Sequence, residues 1–412
     1  MATAFFKYDR PHQRRDLTPV KVAVLSHFCA PEPCAASHRI SALCAALLEC
    51  GHDVTVITGF TTFPAGKLDA GDRYVLHRVE HRDGLRIVRL LTLDPARAPG
   101  GRLAGWVASA IASSMYLLLT RERFDGIVVT VPPITLALPA LIGRLRHRCM
   151  LVTDVRDVFP DIAVAMGEWR EGSLVERAVG GLARALYRAS RVVVAVTQTA
   201  LEQIIVRGVD RSRLVLAPNG FDDASIYDGC RSRRGQFRAV FAGNLGIATG
   251  IDIVLDAAGL LRNEAIEFTI VGDGADAARV RSRIEAERLE NVSMTGSLPR
   301  ADAMRELAEA SVAIVPLRAG LIDTIPSKMF DAFALALPVV VCAEGEAASL
   351  ASSSGGAVVV RPGDGRQLAT ALQQLAADPS RREAMGRLGR AYVRERFERR
   401  KIMRELCARF AL

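Results

Sequence analysis

The apolar positions of this chain cluster in short continuous runs rather than alternating with polar ones. Lys21 to Ser26, Asp53 to Thr58, Leu85 to Leu91, Gly126 to Val131, Cys149 to Thr153 and Arg191 to Val196 read as strands, with helical stretches between them. Strands that are apolar throughout and separated by helices predict a parallel sheet covered on both faces. The pattern then begins again, with Phe237 to Ala242, Glu267 to Val271, Val292 to Thr295, Val312 to Val315, Val339 to Cys342 and Ala357 to Val360 as strands. The turn-rich Ala217-Pro218-Asn219-Gly220 separates the two series. A chain of 412 residues exceeds one comfortable core. The predicted fold class is therefore α/β, with two doubly wound Rossmann-like domains facing across a cleft. Ligands in such sheets sit at the carboxyl ends of the strands, so the loops leaving those ends are where chemistry is expected.

The most informative of these segments runs from Asp323 to Pro338. Pro326 suits the first turn of a helix, Thr324 can cap just before it, and the helix must end by Pro338. Its start offers unpaired N–H groups and the positive end of a dipole, which is an anion site. Lys328 adds a full charge in that turn, and Asp331, three residues on, shares its face. A cation with a carboxylate one turn deeper suits a nucleoside diphosphate whose sugar hydroxyls need an acceptor. On spacing alone, a surface Lys–Asp pair on an ordinary helix fits equally well. Upstream, Phe241-Ala242-Gly243-Asn244-Leu245-Gly246 is a strand running into a glycine loop, a backbone nest for phosphate oxygens. Gly272-Asp273-Gly274-Ala275-Asp276-Ala277 follows a strand and opens a helix, which taken alone points to a dinucleotide. It lies on the second strand of its series, however, and neither leading strand carries that fingerprint. A Walker A loop is absent, since Gly59 to Lys67 has the wrong gap.

Pro326-Ser327-Lys328-Met329-Phe330-Asp331, followed by Pro338-Val339-Val340, resembles the donor-site segment of family-4 glycosyltransferases. Asp323 and Asp331 keep the eight-residue spacing of that family's two acidic residues, with Asp in place of the usual Glu. Gly345-Glu346-Ala347-Ala348 matches the segment after this helix, and Arg156-Asp157-Val158-Phe159-Pro160 resembles an Arg-Asp-Leu-Trp-Pro segment. Pro31 to Arg39 resembles the family's small-residue first loop, with Cys34 where glycine is usual. Gly51 to Val56 and Thr58-Gly59-Phe60 also fit, with Gly51 ending a helix and His52 as a satisfied turn residue. The likeness extends from Lys21 to about Phe410. It implies a GT-B fold with an acceptor-side domain at residues 1–218, a donor domain at 219–393, and a last helix at 394–412 crossing back to the first domain.

The same resemblance implies retaining transfer of a sugar from a nucleoside diphosphate sugar, with UDP the expected carrier, and no metal or cofactor. Gly243, Asn244, Gly246, Gly272 and Gly274 are then the donor loops. Arg318, Ser327 and Lys328 face the diphosphate, Asp331 the ribose and Asp323 the sugar. Where many relatives have a lysine near the glycine loop, Ile247 and Thr249 stand here. On the acceptor side fall Ala35, Ala36, Arg39 and Arg156, with a surface salt bridge the alternative for Arg39 and a solvated side chain the alternative for Arg318. Asp157, at a strand's carboxyl end, can bind or deprotonate the acceptor hydroxyl. A structural pair of Asp157 with Arg156 is the simpler alternative, and Asp161 reads as a helix cap. Asp364, between two glycines, reads as a turn residue only.

Charge and composition narrow the partners. Net charge is +9, with basic runs at Arg14-Arg15, Arg144 to Arg148 and Arg231 to Arg234, which favours anionic partners. The runs lack interleaved aromatics, so nucleic acid is not expected. The 7 histidines all precede Cys149, and the 8 cysteines make no metal spacing and read as reduced core residues of a cytoplasmic protein. Residues 1–20 lack a signal-peptide core. Leu103 to Leu119, bounded by Arg102 and Arg121, falls short of the ~20 residues of a membrane span and reads as a buried or interfacial helix. The acceptor expected is a lipid-linked saccharide at an anionic membrane face. The alternatives are a soluble natural product, a nucleotide-sugar epimerase of the same fold, and a non-catalytic binding module.

Overall fold

The computed structural model describes residues 19–32, 34–62, 67–73, 75–94, 101–222 and 236–410. Pro33, Arg14-Arg15, Arg231 to Arg234 and nearly all of residues 1–20 lie outside them. The chain forms two compact units: one runs to Pro218 and includes the last helix from Arg399, and the other is Asn219–Glu398.

The first unit contains, in order, β1 (Lys21–Leu25), α1 (Ala35–Glu49), β2 (Asp53–Gly59), β3 (His77–Arg82), β4 (Leu85–Leu90), α2 (Gly101–Leu119), β5 (Gly126–Val131), α3 (Ala137–His147), β6 (Met150–Val155), α4 (Asp161–Ala165), α5 (Leu174–Ala189), β7 (Val192–Ala195), α6 (Gln198–Val206) and β8 (Leu214–Leu216). The sheet order is β3-β4-β2-β1-β5-β6-β7-β8, and all pairs but β3–β4 are parallel. The chain reverses direction across the sheet between β1 and β5, so their carboxyl ends form the switch point where such folds bind ligands. Buried side chains fill a layer on each sheet face.

Two strands depart from the sequence reading. β3 is an exposed edge strand, His-Arg-Val-Glu-His-Arg, with no apolar run to mark it, and β8 is only three residues long. Both are pinned by pairing rather than by burial of their own.

α2 also shows an unexpected division of faces. It buries Ser109, Ala110, Ser113, Ser114 and Leu117, and exposes Leu103, Val107, Ile111, Met115, Leu118 and Leu119. Small residues let it lie close on α3, and the bulky apolar stripe faces outward. Among the described residues no helix is long and apolar enough to cross a membrane.

The second unit contains β9 (Phe237–Ala242), α7 (Asp252–Leu260), β10 (Ile266–Val271), α8 (Ala277–Ala286), β11 (Val292–Gly296), α9 (Arg300–Ala308), β12 (Val312–Pro316), α10 (Ser327–Ala334), β13 (Val339–Cys342), α11 (Gly345–Ser353), β14 (Ala357–Val360), α12 (Gly365–Ala377) and α13 (Pro379–Arg396). Its six strands are all parallel in the order β11-β10-β9-β12-β13-β14, with the switch point between β9 and β12. The final helix, α14 (Arg399–Phe410), belongs to the first unit, where it packs on α1. Arg400 and Arg404 both reach Glu49 of α1, at 2.5 and 2.6 Å.

Local capping differs from expectation in four places. α10 begins one residue later than expected: Pro326 is its N-cap, and no side chain caps it, so Thr324 has no capping role. Asp364 is more than a turn residue, since its carboxylate accepts the Gln367 N–H at 2.9 Å and caps α12. Asp161 is the first residue of α4 and pairs with Arg207 instead of capping. Gly51 does follow α1 with φ +83, but His52 is buried with Nδ1 lacking a partner, so it is not a satisfied turn residue.

Candidate active site

In the second unit, β9 and β10 end side by side and both run into glycines. Gly243 N–H donates to the Val271 carbonyl at 2.8 Å and Leu245 N–H to Asp273 at 2.9 Å, so the two loops lie on one another. A Cβ at Gly272 (φ +143) would meet the Gly243 carbonyl oxygen at 1.9 Å, which only glycine avoids. A Cβ at Gly243 would sit 2.6 Å from Lys328 Nζ. The ammonium therefore occupies the space that this glycine leaves open.

Lys328 is held there in an unusual state. Its Nζ stands 4.3 Å from the centre of the Phe241 ring, and among the described residues no carboxylate pairs with it. Burial lowers its pKa to about 8, because desolvation penalises the charged form. The first-turn N–H groups of α10, at Ser327 and Lys328, also lack an acceptor among the described residues. A desolvated cation and free N–H groups in one helix turn suit an anion.

The remaining donor-side residues fall around this point. Gly274 packs against the Leu245 carbonyl and the Asn244 amide, and Thr249 Oγ1 donates to the Asn244 carbonyl at 2.9 Å. Gly246 precedes a one-turn helix at Ile247–Thr249. Arg318 leaves β12 beside this loop, its N–H on the Ala248 carbonyl at 3.0 Å and its exposed side chain without a partner among the described residues. Asp331 does not pair with Lys328. Arg300 holds it at 3.3 Å and reaches Asp222 at the same distance. Asp323 is half-buried in the turn before α10 and does not pair with Lys328 either.

The first unit gathers a different set at the ends of β1, β5 and β6. Arg39, read as facing an acceptor, is 2% exposed, and that reading is corrected. Its guanidinium forks onto Asp154 at 2.7 and 2.9 Å and donates to the Pro218 carbonyl at 3.2 Å, so its charge is answered inside the unit. Arg156 donates to the Pro132 carbonyl at 2.8 Å, and its Nε is buried without a partner. Burial lowers its pKa, opposed by the neighbouring Asp157 and Asp154. Asp157 is half-buried just beyond β6. Ala35 and Ala36 open α1, the first exposed and the second buried, behind an N-cap Cys34 that makes no side-chain capping bond.

One residue escaped the sequence reading. His27 lies two residues beyond β1, with Nδ1 buried and unpartnered among the described residues, against Phe28 (ring centres 4.7 Å apart) and Trp106 (6.4 Å). Burial, and then the charge of Arg156, hold its pKa down to about 4, so the ring is neutral. Its only signal in the sequence is position: a histidine at the carboxyl end of a leading strand. Among the described residues no group of three His, Cys, Asp or Glu side chains could hold a metal ion.

Two doubly wound units, one with a desolvated lysine over a glycine loop, describe an α/β protein with a candidate anion site. Residues 35–220 match the glycosyl transferase 4-like domain, and residues 236–378 match glycosyl transferases group 1. The chain is a glycosyltransferase of GT-B fold and belongs to family 4 of these enzymes. It is 24% identical over 379 residues to a putative colanic acid biosynthesis glycosyl transferase, WcaI, of Escherichia coli K12, covering 86% of this chain and 91% of that one. Among solved structures it is similar to sucrose-phosphate synthase of Thermosynechococcus elongatus, with TM-score 0.73 and 18% identity over 94% of this chain and 98% of that one. The HepE protein of Anabaena in complex with UDP and glucose superposes with TM-score 0.70 and 15% identity over the same shares.

Proposed function

We propose that this glycosyltransferase retains anomeric configuration and moves a sugar from a UDP-sugar to a hydroxyl of a lipid-linked saccharide in cell-surface polysaccharide assembly. The observation that carries the donor half is Lys328. It is a cation with no carboxylate partner among the described residues, held over Gly243 at the uncapped start of α10. A diphosphate supplies the charge that this environment lacks, and fixed donors there stabilise it as it leaves. Arg318 and the N–H of Ser327 add to the diphosphate contacts, with the Gly243–Gly246 and Gly272–Gly274 loops beneath. The carrier is assigned as UDP because HepE, which shares the fold, was crystallised with it.

Asp331 takes the ribose in this reading, which requires Arg300 to share or release it. Asp323 takes the sugar. Asp157 accepts the acceptor's hydroxyl proton, with Arg156 and neutral His27 beside it. The polysaccharide assignment follows WcaI, whose name places it in colanic acid biosynthesis. For a peripheral position on the cytoplasmic membrane face, the support is the outward stripe of α2 and the net charge of +9. The same stripe can seat the acceptor's lipid.

The test is a thermal-shift panel of UDP, GDP, ADP, dTDP and NAD on purified protein, followed by transfer assays on lipid-linked acceptors. A shift selective for UDP supports the donor assignment. A shift with NAD alone would overturn it.

A further inference from the structure

The first unit has a concavity of about 640 Å³ at the other end of its sheet from the loops just described, where β6 and β7 begin. Arg144, Arg188, Arg191, Arg213 and Arg409 line it, and among the described residues no carboxylate does. Only Arg213 is committed within the fold. Its guanidinium donates to the carbonyls of Tyr187, Arg188 and Ser190 at the end of α5. Among the described residues the other four have no carboxylate partner. The nearby acids are occupied elsewhere: Asp210 accepts the N–H and hydroxyl of Ser212, at 2.7 and 2.6 Å, and Asp125 accepts the Lys21 N–H at 2.9 Å.

The simplest explanation for basic residues here is helix electrostatics, since α3, α5 and α14 all end at this place. Each helix end carries about half a negative charge, about 1.5 in all, so the five guanidiniums exceed that demand by more than three charges. Basic composition does not explain the cluster either. On α8, Arg279 and Arg283 are tied to Asp252, Asp256 and Asp276. Arginine forks match phosphate oxygens, and the space holds more than one phosphate group. We infer that this concavity binds a polyvalent, phosphate-bearing anion at a site separate from the nucleotide-sugar site.

The test titrates inorganic pyrophosphate calorimetrically into the full chain at low salt. The wild type is compared with Lys328→Ala and with the double variant Arg188→Glu/Arg191→Glu. Both reversed residues are exposed, and neither side chain holds the fold together. Binding should persist in Lys328→Ala and weaken at least tenfold when the double reversal is added to Lys328→Ala, while the UDP thermal shift of the double variant alone stays that of the wild type. Cys149, in the concavity wall, should react more slowly with a maleimide when pyrophosphate is present, and only when the arginines are intact.

A second arm adds vesicles of phosphatidylglycerol in phosphatidylcholine. Co-sedimentation that is lost in the double variant and displaced by pyrophosphate makes a lipid headgroup the source. Co-sedimentation indifferent to the reversal, with pyrophosphate binding dependent on it, makes the source a free phosphate compound. Pyrophosphate binding that survives the double reversal in the Lys328→Ala background, or is absent from Lys328→Ala, would overturn the site. Neither result bears on whether UDP is the donor.

Discussion

Arg39 in the first unit and Lys328 in the second are cations near the carboxyl ends of a doubly wound sheet, the first fully buried and the second half-buried, and they do opposite things. Arg39 meets the buried Asp154 in a two-point ion pair that answers its charge within the fold. Lys328 meets an aromatic ring and a glycine, and no carboxylate among the described residues answers its charge. The partner decides the role. A buried cation with a matched carboxylate braces the fold, whereas one without it favours an anion from outside or gives up its proton.

The sharpest way to break this comparison is Arg39→Ala. It strands Asp154 as a buried unpaired charge and should cost about 3–5 kcal/mol of stability in urea unfolding. Arg39→Met with Asp154→Leu should cost much less, because both charges leave together. A mild single variant would remove the bracing role. Next in size, Lys328→Ala should lower donor affinity about a hundredfold, or ~2–3 kcal/mol, without lowering stability. A loss of stability with intact UDP affinity would make Lys328 the structural cation of the two.

The pH dependence follows from the same charge. The folded pKa of Lys328, about 8, lies below the ~10.4 of an unfolded lysine, so between these values the unfolded chain holds the extra proton. Folding stability from this group therefore rises across that window, while donor affinity falls above pH 8 by up to about tenfold per unit. Calorimetric titration of UDP from pH 7 to 9.5 checks this, and Lys328→Met should flatten the profile. Smallest in binding terms is Asp157→Asn. Turnover should drop at least tenfold with UDP affinity unchanged, as expected of a group on the acceptor side.

How much of this could be read in the sequence depended on whether the signal was local. β9, β10, β12 and β13 of the second unit stood out because each is a largely buried apolar run in a parallel sheet. β3 did not, because an edge strand needs no apolar face. Lys328 was legible because a proline-marked helix start and its cation lie within a few residues. The Arg39–Asp154 pair was not, since its partners lie 115 residues apart and meet only through the sheet. The start of α10 was misplaced for a related reason. Pro326 fits both the N-cap and the first turn, and the backbone angles that decide between them are set by the loop ahead.

α14 has a consequence for how the protein is made. Ile402, Met403, Leu406 and Phe410 complete the same apolar layer as Ile40, Leu43 and Leu47 of α1. A chain emerging from the ribosome has every strand of its first sheet by Pro218, yet that layer stays open until the second unit has been synthesised. At about 5–20 residues per second the wait is roughly ten to forty seconds. During it the uncovered face of α1 is a surface for chaperones or for premature association. A messenger truncated before Arg399 therefore yields a first unit that is sticky as well as inactive.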